Sequence, residues 1–306
     1  MFDLSKAFTQ WTFLIFLAFV WGSSFILMKK GLISFSPAQI AALRIFISFL
    51  FLLPVMLRNF KKIKAAQWKK IGIAGLLGSG IPAILFPFAQ TKISSSLTGM
   101  LNSLVPLFAV LIGVLFFKVP FRKLKFIGVF IGLLGAIGLL YASGAVQLDS
   151  NNFFYAGLIL IATLCYATNV NYIKTALAEV NSIDITSFGF FFIGPPAAIY
   201  LFNTDFIDLV MHNKEAQLHL FYIALLAVFG TAVAVILFNM LIKRVSAVFA
   251  SSVTYIIPVF AIFWGLLDGE KIQILQLFFI GIVLLGVYIV NRDNVLEKKS
   301  AIRQRG

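Results

Sequence analysis

The sequence predicts an all-α integral membrane protein with ten transmembrane helices, arranged as two inverted five-helix repeats with both termini in the cytoplasm. Three observations predict this fold: long apolar runs, the distribution of basic residues between the runs, and an internal repeat. Of the 306 residues, 61% are hydrophobic and only 12% are charged, whereas a soluble domain carries about 25% charged residues. Because a soluble fold of this size could not hide so much apolar surface, we expect a lipid environment.

The apolar runs set the number of helices. A bilayer core about 30 Å thick needs about 20 apolar residues per helix, and several runs reach this length without an interior charge. Charge clusters, Pro and Asn divide the runs, and we expect Gly194-Pro195-Pro196 to interrupt the seventh helix. The predicted helices cover residues 11–29, 37–57, 70–91, 94–117, 124–142, 153–174, 185–203, 218–241, 246–267 and 273–291.

The basic residues predict the orientation. With the N-terminus in the cytoplasm, 19 of the 25 Lys and Arg residues fall in cytoplasmic segments, five fall on the opposite side, and Arg44 lies inside a helix. Cytoplasmic loops of membrane proteins are enriched in Lys and Arg, so this split favours ten helices with both termini inside. The same distribution explains the net charge of +14 without a nucleic-acid partner, because no basic face or stacking platform accompanies it.

The spacing of Gly and Pro indicates an internal repeat. At an offset of 152 residues, residues 78–86 lie over residues 230–238, and Pro106 lies over Pro258. An offset of 145 residues gives a weaker match for the first helix of each copy, in which Trp21 lies over Tyr166 and Lys29 over Lys174.

The repeat unit has five helices, and an odd unit must enter the bilayer from opposite sides in its two copies. We therefore divide the chain into a first repeat at residues 1–145, a second, inverted repeat at residues 150–292, and a basic cytoplasmic tail at residues 293–306. Inverted repeats are typical of secondary carriers, whose substrate site lies near the midplane where the halves meet.

Polar residues deep in the predicted helices are candidates for a cavity that binds a small molecule. Arg44 either anchors a substrate carboxylate, or it snorkels to the outer surface or bonds to carbonyls of a neighbouring helix. For the other residues, the alternative to a shared cavity is ordinary hydrogen bonding between helices. Asn102 and Thr254 each lie about one turn before a proline, where a freed carbonyl needs a partner. The candidates are Trp21, Ser24, Arg44, Asn102, Asn169, Asn239 and Tyr255.

Other features limit the kinds of chemistry. All eleven acidic residues fall in loops, tails or helix ends, so proton coupling stays open but no residue for it is visible. We expect Lys29 and Lys174 to snorkel from helix ends. The sequence has one cysteine, Cys165, and no P-loop, nucleophile elbow or HExxH motif, so we expect no enzyme activity, cofactor or metal site. The pair Gly128 and Gly132 permits close helix contact within or between chains, which leaves both monomer and homodimer open.

Several short motifs are spread over nearly the whole chain: the WGSSF of residues 21–25, the LRIF of residues 43–46, residues 94–106 and 246–258, and Gly269-Glu270 followed by Gln276 and Gly281. In their order and spacing, these motifs resemble the EamA family of the drug/metabolite transporter superfamily. Lys118 departs from the pattern, because the family often has Glu there. The resemblance implies a ten-helix carrier of the inner membrane that works by alternating access and exports amino acids or related metabolites, with the cavity between its halves. A small-solute channel and a membrane-embedded enzyme are the alternatives.

Overall fold

The computed structural model describes residues 7–118, 123–143, 150–244 and 253–303, and every regular element in this part of the chain is helical. Eight of the described segments are long and apolar enough to cross a membrane, and two further apolar helices, Val253–Leu267 and Ile274–Val290, are shorter. The helices are α1 (Ala7–Gly31), α2 (Pro37–Asn59), α3 (Ala65–Gly75), α4 (Ile81–Gln90), α5 (Ser95–Asn102), α6 (Val105–Phe117), α7 (Lys123–Ala142), α8 (Ser150–Ala176), α9 (Ser182–Phe202), α10 (Phe206–His212), α11 (Lys214–Leu225), α12 (Ala234–Arg244), α13 (Val253–Leu267) and α14 (Ile274–Arg303).

Several helix boundaries differ from the predicted ones. The third span begins at Ala65 instead of residue 70, and α14 continues through Arg303, so the segment predicted as a tail at residues 293–306 is helical up to that residue. The start predicted for the ninth helix, residue 246, lies outside the described residues. The short helix α10 occupies the longest predicted connection.

Prolines act differently in the fourth and seventh spans. The expected interruption at Gly194-Pro195-Pro196 is wrong, because α9 runs through both prolines. The fourth span is instead divided between α5 and α6. In a continuous helix, residue 106 would donate its backbone N–H to the carbonyl of Asn102. Pro106 has no N–H to donate, which explains why α5 ends at Asn102.

Two spans contain π-helical turns at matching places. Leu76–Gly80 joins α3 to α4, and Leu226–Val233 joins α11 to α12. The offset of 152 residues seen in the sequence carries the first turn into the second. Since π-helical turns occur frequently at functional sites, these two segments are a first structural indication of where a site lies.

A glycine seam holds α7 against α14. A Cβ on Gly128 would lie 2.8 Å from the carbonyl oxygen of Gly286, and a Cβ on Gly286 would lie 2.5 Å from the carbonyl oxygen of Gly128 and from the backbone nitrogen of Gly132. Only glycine permits backbones to approach this closely. The Gly128/Gly132 pair is therefore used for contact within the chain.

Polar side chains fasten both ends of the α2–α9 pair, whose helices pack along each other. At the start of α2, the Gln39 amide donates to Asp205 Oδ1 at 2.7 Å and to Thr204 Oγ1 at 3.2 Å. At the end of α2, the Asn59 amide donates to Asp184 Oδ1 at 2.7 Å. Each contact joins the start of one helix to the end of the other, so the antiparallel pair is fixed at both ends.

A charged cluster ties the end of α1 to the start of α5 and the end of α13. Lys29 Nζ lies 2.7 Å from Glu270 Oε1 and 2.7 Å from Asp268 Oδ2. Lys29 therefore does not simply snorkel to the surface, because two carboxylates hold its head group. The hydroxyl and backbone N–H of Ser96 donate to Glu270 Oε2 at 2.6 and 3.0 Å. We refer to the Glu270 cluster as Lys29, Lys30, Ser95, Ser96, Asp268 and Glu270.

The cluster lowers the pKa of Glu270. Only 6% of this side chain is exposed, and burial alone would raise the pKa. Hydrogen bonds from Lys29, Ser96 and Ser95 outweigh burial and bring the pKa from its ordinary value of 4.5 to about 2. Glu270 is therefore ionised throughout the physiological pH range.

We expect Gly286→Val to destabilise the protein by about 1–3 kcal/mol, because the added carbons would meet the backbone of α7 and overpack the seam. Gly281→Val on the same helix is the matched control, since a Cβ there meets nothing within 4 Å. The measurement is the melting temperature of both variants in detergent. Equal melting temperatures would contradict the close approach of α7 and α14.

We expect Glu270→Gln to lower the melting temperature by an amount that is constant from about pH 8 to about pH 5 and narrows below about pH 4.5. The folded-state pKa of about 2 lies below the unfolded value near 4.5. The stabilisation is therefore complete above the unfolded pKa and is lost as the pH falls towards the folded pKa.

Thermal unfolding of wild type and variant between pH 8 and pH 3 measures this difference. Asp208→Asn is the control, because Asp208 is exposed and pairs with the equally exposed His212. A difference that stays constant down to pH 3 would show that the pKa of Glu270 is not lowered, because a group with equal folded and unfolded pKa values adds no pH dependence to stability.

Candidate functional site

A cavity of about 260 Å³ lies in the middle of the helix bundle. Its wall is built by residues of α1, α2, α3, α4, α8, α9, α12 and α13, by both π-helical turns, and by the break between α5 and α6. Most of the wall is apolar, with a few polar groups that face inwards. This combination is typical of sites for small molecules.

The structure brings five of the seven predicted site residues together in this wall: Trp21, Ser24, Arg44, Asn102 and Asn169. Tyr255 does not join them. It is half-buried against the core, and its neighbour Thr254 lines the cavity instead. Since consecutive helical residues point about 100° apart, a sequence pattern can select the wrong member of such a pair. Asn239 lies in α12, and its side chain falls outside the described part of the chain.

Arg44 supplies a positive charge to the wall. Its Nε and Nη2 lie 3.4 and 3.5 Å from Thr231 Oγ1, which makes both hydrogen bonds long and weak. Nη1 is buried and has no hydrogen-bond partner among the described residues. Arg44 thus faces the cavity and does not snorkel to the surface. No Asp or Glu side chain lines the cavity in the part of the chain that the structure describes.

Two asparagines contribute acceptors to the same wall. Asn102 Oδ1 and Asn169 Oδ1 are buried, and neither has a hydrogen-bond partner within the described ranges. Asn102 ends α5 at the break in the fourth span. Asn169 lies directly against the first π-helical turn, where a Cβ on Gly78 would collide with the amide nitrogen of Asn169. A buried polar atom without a partner is costly, so these atoms are suited to a ligand that donates N–H or O–H groups.

The second π-helical turn has an equivalent contact with α1. A Cβ on Gly230 would lie 2.9 Å from Ser24 Oγ, and the Trp21 indole N–H donates to the Gly230 carbonyl at 2.9 Å. Ser24 Oγ itself donates to the Val20 carbonyl at 2.9 Å. Trp21 and Ser24 therefore hold the wall in shape, and each keeps one face towards the cavity.

Two aromatic pairs complete the wall. The rings of Trp21 and Phe238 meet edge to face with centroids 5.1 Å apart, and those of Phe86 and Tyr166 stack at 6.0 Å. All four residues line the cavity. Aromatic faces can hold the apolar part of a ligand, and Tyr166 also lies close to the Arg44 guanidinium.

The predicted site residues do not include several residues of the wall, among them Phe86, Tyr166, Thr231 and Phe238. The repeat contains the signal that could have found two of them. An offset of 145 residues relates Trp21 to Tyr166, and an offset of 152 residues relates Phe86 to Phe238. One aromatic pair therefore predicts the other. The offset of 152 residues also relates Ser79 to Thr231, and both hydroxyl residues line the cavity.

The cavity runs between two different ends of the bundle. Met28, which precedes Lys29 of the Glu270 cluster, lines it at one end. At the other end it is lined by Ile173 near the end of α8 and by Ile185 near the start of α9. One end of the cavity is therefore lined by the residue that precedes Lys29 of the Glu270 cluster.

Comparison with known proteins agrees with this architecture. The model of the EamA-like transporter family matches the chain twice, at residues 9–141 and 153–292. An uncharacterized transporter of Archaeoglobus fulgidus is 27% identical over 285 residues, which is 92% of this chain and 99% of that protein. The uncharacterized inner membrane transporter YedA of Escherichia coli is 26% identical and covers 90% of this chain and 89% of its own length.

More distant matches agree with these. A protein of Chlamydia muridarum named as an S-adenosylmethionine/S-adenosylhomocysteine transporter is 23% identical over 92% of this chain and 91% of its own length. A solved crystal structure superposes with a TM-score of 0.62 at 17% identity, covering 90% of this chain and 94% of that one, which shows the shared fold.

The apolar spans and the similarity to an inner membrane transporter identify a multi-pass protein of the inner membrane. Membership in a transporter family also implies a small-molecule substrate. The family model matches the chain from residue 9 to residue 292 with one short gap. The chain belongs to the EamA-like transporter family.

Proposed function

We propose that this protein is a secondary transporter that exports an amino acid or a related small metabolite across the inner membrane by alternating access. Arg44 carries the proposal. Its charge faces a small cavity whose described wall contains no acidic side chain, and Nη1 has no partner there. A ligand with a carboxylate would supply the missing partner, since guanidinium groups bind carboxylates in a two-point geometry.

The rest of the wall supports a substrate that also carries a donor and an apolar part. The free Asn102 and Asn169 oxygens would accept from an ammonium or amide group. The aromatic pairs would hold a side chain. At about 260 Å³ the cavity lies below the usual range of about 300–1,000 Å³ for ligand pockets, which favours a small metabolite. The relatives named as S-adenosylmethionine/S-adenosylhomocysteine transporters support an amino-acid derivative as one option.

Two inverted repeats of five helices, at residues 1–145 and 150–292, are part of the proposal. The double match of the family model supports this division. The contacts support this division too, because Asn169 contacts Gly78 in the same way as Ser24 contacts Gly230. Ser24 and Asn169 are 145 positions apart, and Gly78 and Gly230 are 152 positions apart. With both termini in the cytoplasm, residues 293–306 form a cytoplasmic extension, and the Ile173 end of the cavity receives its substrate from the cytoplasm.

In the proposed mechanism the two halves rock about the cavity and expose it to one side at a time. The π-helical turns and the break before Pro106 all border the cavity and would be the places where the wall deforms. Since the cavity lies within one chain, a monomer is sufficient for transport, and a homodimer would hold two independent cavities. Proton coupling remains part of the hypothesis without an assigned residue.

A channel and a membrane-embedded enzyme are the two other classes. A thermal-shift screen of the purified protein against amino acids, nucleosides, vitamins and cationic drugs would identify a ligand, because a bound ligand stabilises the folded state. With that ligand in proteoliposomes, a carrier gives saturable counterflow. Flux without trans-stimulation would favour a channel, and turnover of a lipid or peptide by the purified protein would favour an enzyme.

We expect Arg44→Gln to raise the KM for a carboxylate substrate about 10- to 100-fold, the loss that follows from removing a hydrogen-bonded charge pair. For the amide or ester analogue of that substrate, the KM of Arg44→Gln should differ little from that of the wild type. Arg44→Lys retains the charge but not the two-point geometry, so its KM for the carboxylate substrate should lie between those of the wild type and Arg44→Gln. Counterflow kinetics measure the effect. Equal losses for the acid and its neutral analogue would contradict the role of Arg44 as carboxylate anchor.

We expect Asn102→Ala to impair transport more than folding, because the Asn102 oxygen has no hydrogen-bond partner among the described residues whose loss would cost stability. Uptake kinetics and the melting temperature are compared in one preparation. Asn203→Ala is the control, since Asn203 lies at an exposed helix end and donates to the Ile199 carbonyl. Normal uptake kinetics in Asn102→Ala would remove this residue from the site.

A further inference from the structure

The Glu270 cluster joins three separate parts of the chain next to Met28 of the cavity wall. Lys29 ends α1, Ser95 and Ser96 begin α5, and Glu270 follows α13. Met28 of the cavity wall precedes Lys29 directly. For this end of the cavity to open, α1 must separate from α5 or from the end of α13, and either movement breaks contacts of Glu270.

Those contacts use the full acceptor capacity of the carboxylate. Glu270 Oε1 accepts from Lys29 Nζ at 2.7 Å, from the Ser95 N–H at 2.9 Å and from the Ser95 hydroxyl at 2.8 Å. Glu270 Oε2 accepts hydrogen bonds from the backbone N–H and from the hydroxyl of Ser96. An ionised carboxylate offers about four lone-pair sites. Because the side chain is 6% exposed, water cannot replace these partners until the end has opened.

At the opposite end, the repeat places a different combination of charges at the positions that match Glu270 and Lys29. The offset of 152 residues that relates Phe86 to Phe238 also relates Lys118 to Glu270, and the offset of 145 residues relates Lys29 to Lys174. The counterparts of the carboxylate and of its cation are therefore both lysines. Both lysine side chains are exposed. Two like charges at these places oppose closure instead of holding it.

We propose that the Glu270 cluster is an ionic latch for one end of the cavity and that the Lys174 end has no ionic latch. The substrate-free transporter then rests with its Lys29 end closed, and the energy of substrate binding opens the latch. This inference rests on the alternating access proposed above. Lys29 and Glu270 act on the conformational equilibrium and need not touch the substrate.

Accessibility of a cysteine beneath the latch tests the proposal. In a Cys165→Ser background, Met28→Cys reports on the Lys29 end when a membrane-impermeant maleimide is added to intact cells or to inverted vesicles. Lys92→Cys, at an exposed position just before α5, identifies the preparation in which this end faces the reagent. The membrane then shields the cavity's other end from the reagent.

We expect Glu270→Gln and Lys29→Gln each to raise the rate at which the maleimide labels Met28→Cys by about tenfold or more, as the loss of a charged hydrogen bond implies. Lys29→Arg should retain the slow rate, and Asp208→Asn is the matched control for removal of an acidic charge. Unchanged rates in both latch variants, in protein that elutes as a single species, would overturn the latch. If one variant fails to fold, the other decides.

A gain-of-function variant tests the unlatched end. Lys118→Glu restores an opposite charge to Lys174 and should slow labelling of Ile173→Cys from the other side of the membrane about tenfold. An unchanged rate would overturn the asymmetry between the ends. The labelling assay needs no substrate, so it tests the latch separately from transport. Normal counterflow together with unchanged labelling rates would reject the latch but not the transporter. Changed labelling rates in a protein that shows no counterflow of any compound would reject the proposed transport but not the latch.

Discussion

The charge of Arg44 inside an apolar bundle is the constraint on which the rest of the site depends. An ionised group at membrane depth is costly and persists where it faces partners or a polar cavity. Thr231 offers only long hydrogen bonds, and the described wall holds no carboxylate. The bundle meets this cost by surrounding the guanidinium with a cavity instead of close packing. Breaks in regular helix geometry border that cavity, as expected where irregular backbone lines a cavity within the membrane.

The two halves of the chain repeat their contacts but not their charges. Aromatic pairs, glycine contacts and the fastenings of the α2–α9 pair recur at matched positions. Arg44 has Gly189 as its counterpart at the offset of 145 residues, and Glu270 has Lys118 at the offset of 152 residues. The repeated contacts suit a frame with two related conformations. The unmatched charge of Arg44 gives the substrate a single binding orientation, and the unmatched charge of Glu270 gives the transporter a preferred resting state.

Sequence patterns predicted the helical membrane fold, the family and five residues of the cavity wall, because hydrophobic runs, charge bias and intramembrane polar residues each have a direct physical cause. They did not predict the π-helical turns, since Leu76–Gly80 and Leu226–Val233 have no distinctive composition. The Glu270 cluster was also missed, because Lys29 and Glu270 lie 241 residues apart and only the packing of α1 against α13 brings them together. Tyr255 was predicted as a site residue, whereas its neighbour Thr254 lines the cavity, because the side of a helix that faces a cavity depends on how the neighbouring helices orient it.

The most direct test of alternating access is a pair of distance measurements across the two ends of the cavity. Spin labels at Ile33 and Lys271 report on the Lys29 end, and labels at Lys64 and Glu179 report on the Lys174 end. All four positions are exposed and lie in turns or loops between helices. Pulsed electron paramagnetic resonance in lipid nanodiscs, with and without the ligand found by thermal shift, gives both distance distributions. Alternating access predicts that one distance lengthens as the other shortens. Lengthening of both distances together, or no change in either, would contradict it.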